Sequence, residues 1–365
     1  MHKMDIDKLK RKGFDDMVAY VPGWQPPDRE GWVKLNTNES PYAPPEEVLE
    51  EIRANVDATL RLYPDPAARE LRELVVSVLL SGIDPSLGIE NVMWGLGSDE
   101  ILDLLLRTFV DPGDHIVYFN PSYGMYDVLA RVYLAERTVL DLDDDFDIPP
   151  DLDLPEGKLL IICSPNNPNG RSFSNETIER LCSAFSGIVL VDEAYADFAS
   201  TTALSILSAN PKLVVARTFS KSASLAGERI GILVGAREII DAISVVKLPF
   251  NMTRLNQVAA CASLRHYDKI QENLAKIIEQ RERLAREIPN VDPNLTPLPS
   301  DANFLLVQCP SAEYARGLME GLKERKVLIR YFEKPRLSSY VRISVGSPEE
   351  NDILLETLAE VLKTL

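Results

Sequence analysis

From residue 45 to about residue 245 the chain alternates stretches of helical period with short, unbroken apolar runs. PEEVLEEIRANV repeats apolar residues at helical spacing, and Pro45 followed by two acids opens it as a helix. ENVMWG, IVYFNP, KLLIICSP, GIVLVDEAY, KLVVARTFSK and RIGILVG are apolar runs bounded by turn residues. Runs of this kind, separated by helical patterns, predict buried strands of a mainly parallel sheet sandwiched by helices. The pattern is that of an α/β domain.

Downstream the rhythm changes. QENLAKIIEQRERLAREIP places Leu274, Ile277, Ile278, Leu284 and Ile288 on one face of a long helix, which Pro289 is expected to stop. NFLLVQ, a helix through YARGLMEGLKERK, the strands VLIRYF and YVRISVG and a final helix follow without a long βαβ repeat, which predicts a smaller α+β domain. Residues 15–45 are rich in proline, glycine and tryptophan, with VKLN as one short strand. The expected division is 1–44 as an N-terminal arm packing on the small domain and a partner subunit, 45–250 as the large domain, and 251–365 as the small C-terminal domain. DLDDDFDIPPDLDLPEG reads as a solvated, inert acidic loop.

Composition narrows the class. A chain of 365 residues, 45% of them hydrophobic, buries enough core for two domains. Its 39 Lys and Arg against 56 Asp and Glu leave a net charge of -17, which argues against binding nucleic acid or an anionic membrane surface. A local cationic pocket is still compatible with that total. Cys163, Cys182, Cys261 and Cys309 lie far apart in apolar neighbourhoods, with no CxxC pair or histidine pattern suited to zinc, so they read as reduced core residues and no metal is expected. The first residues lack the apolar run of a signal peptide, and no stretch of about 18 apolar residues occurs, which predicts a cytoplasmic protein.

The chemistry collects after the strands, where open parallel sheets bind their ligands. LLIIC runs into SPNNPNG, IVLV into DEAY, LVVA into RTFSK, and ENVMWG into LGSDE. Gly97, Ser98 and Asp99 open a helix whose free N–H groups suit a phosphate, with Asp99 turning its carboxylate away. The plain alternative is that Ser98 or Asp99 only caps that helix. Asp192, directly after four apolar residues, needs a cationic or hydrogen-bonding partner, unless it too is a cap. Tyr195, Asn167 and Tyr123 have equally plain roles as turn and core residues.

Lys221 weighs against the plain readings. It lies in RTFSKSASLAGER between Ser220 and Ser222, with Thr218 just before it and Arg229 two turns of helix further on. A lysine is a nucleophile only when neutral, and its usual pKa of about 10.4 makes that rare unless burial or a nearby cation lowers it. Arg229 and a strand-end crevice supply the means. A lysine, a strand-end aspartate, a tyrosine, an asparagine, hydroxyls and an arginine form the set that holds pyridoxal phosphate.

The ordered motifs GSDE, PSYGMY, SPNNPNG, VDEAYADF and RTFSKSASLAGERIG resemble those of the fold-type-I, pyridoxal-phosphate-dependent aminotransferases, most closely the histidinol-phosphate aminotransferases. The resemblance spans nearly the whole chain, from AYVPG and LNTNESPY through YPDP and LPFN to NFLLV and VRISVG. It implies that Lys221 bonds to the cofactor and then carries a proton, and that Asp192 pairs with the pyridinium nitrogen. Tyr195 and Asn167 would bond its phenolic oxygen, and Tyr123 would stack on the ring. Gly97, Ser98, Asp99, Thr218, Ser220 and Arg229 would hold the phosphate, joined by Tyr63 from the neighbouring subunit of a homodimer.

The same resemblance gives the substrate contacts to Tyr20, Asn167, Arg330 and Arg342. In YVRISVG the alternation sets Arg342 and Ser344 on one face and Val341, Ile343 and Val345 on the other. The implied reaction moves an amino group from glutamate to imidazole-acetol phosphate, giving histidinol phosphate and 2-oxoglutarate, in histidine biosynthesis. An aromatic amino acid aminotransferase or a threonine-phosphate decarboxylase with the same cofactor stays open. So does a nucleotide-binding protein that uses GLGSDE, although that motif lacks the third glycine of a dinucleotide site. NPNG where the family commonly has NPTG, and GER before Ile230, are departures from its pattern.

Overall fold

The computed structural model describes residues 9–11, 13, 14, 17, 19, 20, 23–28 and 30–364. The rest of the expected arm, including Val21 and Pro22 of AYVPG, lies outside the described residues. The chain opens with β1 (Val33–Lys34), α1 (Glu46–Ala54) and α2 (Arg69–Leu74). There follow β2 (Val92–Gly95), α3 (Gly97–Phe109), β3 (His115–Asn120), α4 (Met125–Val132), β4 (Glu136–Asp141), β5 (Leu159–Cys163), α5 (Asn175–Ala184) and β6 (Ile188–Asp192). After β7 (Leu213–Thr218), β8 (Gly231–Gly235) and α6 (Arg237–Val246) come two consecutive helices, α7 (Arg254–Arg265) and α8 (Tyr267–Val291). The chain ends with β9 (Thr296–Pro297), β10 (Phe304–Gln308), α9 (Ala312–Glu324), β11 (Val327–Leu328), β12 (Arg330–Tyr331), β13 (Tyr340–Ser344) and α10 (Pro348–Val361).

Strands β2-β8-β7-β6-β5-β3-β4 form the large sheet in that order. Pairing is parallel except for β8, which runs antiparallel to both β2 and β7. Side chains alternate between two apolar layers, which is why the strands read as continuous apolar runs: Leu160, Ile162, Val189 and Val191 face one, Leu159, Ile161, Leu190 and Val214 the other. The antiparallel sheet β12-β13-β10-β9 carries a third core with Leu284, Ile288, Val307, Val341 and Ile343, closed by Leu35 after β1.

Several expectations change on contact with the structure. Helix α8 passes through Pro289 to Val291. The ring removes one N–H near the helix end, while Ile288 and Val291 continue its apolar face, so one more turn forms. VLIRYF is not one strand: β11 pairs parallel with β1, and β12 pairs antiparallel with β13. The first half of α8, with Ile270, Leu274 and Ile277, packs with α7 on the large-sheet core, and the second half packs on the small core. Helix α8 thus contributes to both cores. Of the four free cysteines, Cys182 is only half-buried.

The acidic loop is anchored, not inert. Phe146 and Ile148 are buried in the main core, and Arg171 pairs with Asp147. Arg336, from the small domain, donates to the carbonyls of Asn120 at 3.1 Å, Leu142 at 2.7 Å and Asp143 at 2.7 Å. Among the described residues, no helix is long and apolar enough to cross a membrane.

Candidate active site

Because β5, β6 and β7 are parallel neighbours, the residues that follow them meet at one edge. Asn167 lies just past β5, Asp192 ends β6, and Thr218 ends β7 ahead of Ser220 and Lys221. Tyr123 follows β3, which pairs with β5 on its other side. The reversed direction of β8 sets Gly231 opposite both Thr218 and Gly95, so Arg229 reaches the same edge and α3 begins beside it. A side chain at Gly231 would not fit: its Cβ would stand 2.5 Å from the carbonyl carbon of Gly97 and 2.8 Å from the nitrogen of Ser98. The segment from Lys221 to Arg229 is no helix. It is a folded turn with one short 3-10 stretch at Ala226–Glu228, and Ser224 and Arg229 adopt φ of 60° and 50°.

These residues border a crevice of about 440 Å³. Among the described residues five cations line it, Lys221, Arg229, Arg330, Lys334 and Arg342, against the two carboxylates Asp99 and Asp192. The site is locally cationic in a chain of net charge -17.

The amine of Lys221 donates to the carbonyl of Thr37 at 3.3 Å and lies 5.9 Å from the ring centre of Tyr195. Burial, followed by the positive Arg342 and Arg229, pushes its pKa down to about 8 against the opposing pull of Glu39. Asp192 is buried and accepts from the hydroxyl of Tyr126 at 2.8 Å and the N–H of Ala194 at 3.2 Å. Burial pushes its pKa up to about 6, since neither donor is a cation. Tyr195 is buried, edge-on to Phe304, and its hydroxyl accepts from Asn38 at 3.0 Å. Burial raises its pKa to about 12, with Arg342 pulling the other way.

Arg342 does share a face with Ser344 and is buried, while Val341 and Ile343 turn into the small-domain core. Its guanidinium donates to Asn167 Oδ1 at 2.6 Å and to the Asn36 carbonyl at 3.0 Å, and it lies over Phe304 at 5.2 Å and Phe332 at 5.6 Å. Its Nε is buried without a hydrogen-bond partner, and burial pushes the group down to about 10. A buried cation among neutral partners calls for an anion. Arg330 stands directly across the strand pair from it and stacks on Phe332 at 5.5 Å.

Asp99 does not turn away. Its carboxylate accepts from Arg229 at 3.1 Å and from the hydroxyl of Tyr123 at 3.2 Å, because Arg229 is the nearest cation at the exposed start of α3. Neither Ser98 nor Asp99 caps α3: the N-cap is Leu96, which makes no side-chain bond, so the first N–H groups of the helix stay available at the crevice. Ser220 Oγ accepts from Thr218 at 2.9 Å and from Arg229 at 3.3 Å. Tyr20 is 41% exposed at the mouth, edge-on to Tyr123 with centroids 6.0 Å apart. Tyr63 does not line this crevice; it is 80% exposed and stacks on Phe250 at 4.4 Å.

Sequence reasoning assigned no role to Tyr126, Asn38 or Lys334. Tyr126 lies one helical turn after Tyr123, a spacing that puts both rings on the sheet side of α4. Asn38, in LNTNES, has φ of 55° and anchors Tyr195 and Ser344 at once. Only the tertiary fold brings it there.

The residues present fit pyridoxal phosphate. Asp192 is a buried carboxylate without a cation of its own, which a protonated ring nitrogen would supply. The start of α3 with Ser220 and Arg229 forms a cradle for a phosphate, and Gly231 keeps it free of a Cβ.

Residues 30–358 match the model of the family described as aminotransferase class I and II. The chain belongs to that family. It is 40% identical over 351 residues to histidinol-phosphate aminotransferase from Geotalea uraniireducens, covering 96% of this chain and 99% of that one. It is 38% identical over 346 residues to the enzyme of the same name from Microcystis aeruginosa, covering 95% and 96%. The solved structure of histidinol-phosphate aminotransferase from Sinorhizobium meliloti in complex with pyridoxal-5'-phosphate superposes with a TM-score of 0.81 at 26% identity, over 91% of each chain. The fold-type-I architecture expected from the sequence is thus observed, with β8 as the reversed strand of its large sheet.

Proposed function

We propose that the chain is a pyridoxal-phosphate-dependent transaminase that moves an amino group between glutamate and imidazole-acetol phosphate, yielding histidinol phosphate and 2-oxoglutarate. The observation that carries the reading is a lysine amine with a pKa near 8 in the same crevice as a buried, cation-free aspartate and the anion-seeking pair Arg330 and Arg342. Relatives of the same activity at about 40% identity over almost the full chain support the substrate. When bound, pyridoxal phosphate supplies an aldehyde for the amino group and a ring that accepts electrons from the substrate's α carbon.

The chain's own groups do the rest. With a pKa near 8, Lys221 is neutral in about a tenth of molecules at pH 7, against fewer than about one in a thousand for an ordinary lysine. It can therefore act as nucleophile and then as general base at the α carbon. The negative charge of Asp192 keeps a proton on the ring nitrogen, and Tyr126 holds that carboxylate in place. Asn38 orients Tyr195 from behind. Arg342 and Arg330 fix the anionic end of the substrate, the phosphate in one half-reaction and a carboxylate of glutamate in the other.

The proposal includes a cytoplasmic homodimer. Leu60, Leu62, Tyr63, Leu248 and Phe250 are exposed on two segments that the Tyr63–Phe250 stack joins into one apolar surface, suited to a second copy. The function is tested by a half-reaction screen on the yellow holoenzyme. Histidinol phosphate and glutamate are expected to discharge the colour at low concentration. Discharge by phenylalanine in preference to histidinol phosphate, or release of carbon dioxide from threonine phosphate, would overturn the substrate assignment.

A further inference from the structure

Lys334 is the crevice cation that none of the preceding chemistry uses. Each of the other four has a partner: Lys221 donates to a backbone carbonyl, Arg229 pairs with Asp99, Arg342 donates to Asn167, and Arg330 is engaged as well. Among the described residues no carboxylate, carbonyl or ring engages Lys334. Its amine lies at the mouth, 4.0 Å from where a Cβ on Gly124 would stand, and the ring of Tyr20 comes within 3.4 Å of the same point.

The backbone bearing Lys334 is fixed on both sides. Before it, Phe332 packs against Arg330 and Arg342. After it, Arg336 grips the carbonyls of Asn120, Leu142 and Asp143 across the domain boundary, and Leu337 is buried. Glu333, the adjacent acid, is drawn off to Arg316 at 2.5 Å. An amine with no partner among the described residues is thereby carried to the crevice on a pinned loop, so that when an anion arrives only the exposed side chain, and not the backbone, has to be ordered.

We propose that Lys334 is a specificity-determining residue, the third cation for the dianionic phosphate of the substrate beside Arg330 and Arg342. This rests on the substrate reading given above. A phosphate monoester carries nearly two charges on three oxygens and satisfies three cations, whereas a carboxylate carries one charge on two oxygens. Lys334 thus favours the phosphorylated amine over glutamate, although both use one crevice in turn.

Lys334→Gln tests this, with Lys334→Arg as the conservative control. The glutamine variant is expected to raise KM for histidinol phosphate about tenfold, the effect of one charge-assisted contact, with kcat and the KM for glutamate within about twofold of wild type. The arginine variant is expected to recover most of the loss. Inorganic phosphate, used as an inhibitor of the half-reaction with glutamate, is expected to bind Lys334→Gln about tenfold more weakly than wild type. Equal inhibition of the two proteins, no inhibition of the wild type, or parallel losses for both substrates would overturn the proposal. A wild type inert toward histidinol phosphate would sink the substrate reading alone, since phosphate inhibition would still decide the role of Lys334.

Discussion

Replacing Asp192 by asparagine separates what the fold prefers from what the chemistry needs. The carboxylate is buried, receives two neutral hydrogen bonds, and has a pKa pushed up to about 6 by burial. In an unfolded chain an aspartate titrates near about 3.9. Between these values the folded protein holds a proton that the unfolded one has lost, so stability falls as pH rises from about 4 to about 6. Above that window the folded chain bears the full cost, roughly two pKa units at about 1.36 kcal/mol each, or about 3 kcal/mol.

Asparagine keeps the shape and removes the charge. Freed of cofactor by dialysis, Asp192→Asn is expected to exceed wild type in urea unfolding by up to about 3 kcal/mol at pH 7 and by only about 1 kcal/mol at pH 4.5. The same variant with cofactor is expected to lose transamination by about a hundredfold or more, because nothing then keeps the ring nitrogen protonated. Equal or lower stability at pH 7, or a gap independent of pH, would refute the reasoning.

Three further outcomes are expected. Gly231→Ala drives a methyl group into Gly97 and Ser98, so the dissociation constant for pyridoxal phosphate, measured by fluorescence titration, is expected to rise about tenfold or more. Arg336→Ala leaves three carbonyls without their donor across the domain boundary; it is expected to cost about 2 kcal/mol in urea unfolding and to speed hydrogen exchange in residues 332–338 and 142–146. Phe250→Glu places a charge in the exposed apolar surface around Tyr63, and sedimentation is expected to convert a dimer into monomers. A variant that sediments like the wild type would remove that surface from the interface.

The inner strands of the sheet were legible because they are buried on both faces, which writes LLIIC and IVLV as unbroken apolar runs ending in the polar residues of the crevice, whereas the exposed edge strand β4, ERTVLD, carries no such run. Lys221, Asp192 and Asn167 were readable for the same reason, since a strand end fixes where the next residue goes. Strand direction is written less plainly. Nothing in RIGILVG says that it runs against its neighbours, yet that reversal is what carries Arg229 to Lys221. Contacts between distant segments were invisible: Asn38 on Tyr195, Tyr126 on Asp192, and Arg336 on the loop after β4 depend on backbone brought together by folding. The direction of the Asp99 carboxylate is set by Arg229, a cation 130 positions away along the chain, and so is not written in GSDE.

At the centre of the account is one amine made reactive by its surroundings. Reducing the yellow holoenzyme with borohydride and mapping the modified peptide by mass spectrometry tests it most directly. The cofactor is predicted to be fixed on Lys221, and Lys221→Ala to show neither that adduct nor transamination; an adduct on another lysine, or full activity in the alanine variant, would contradict the account.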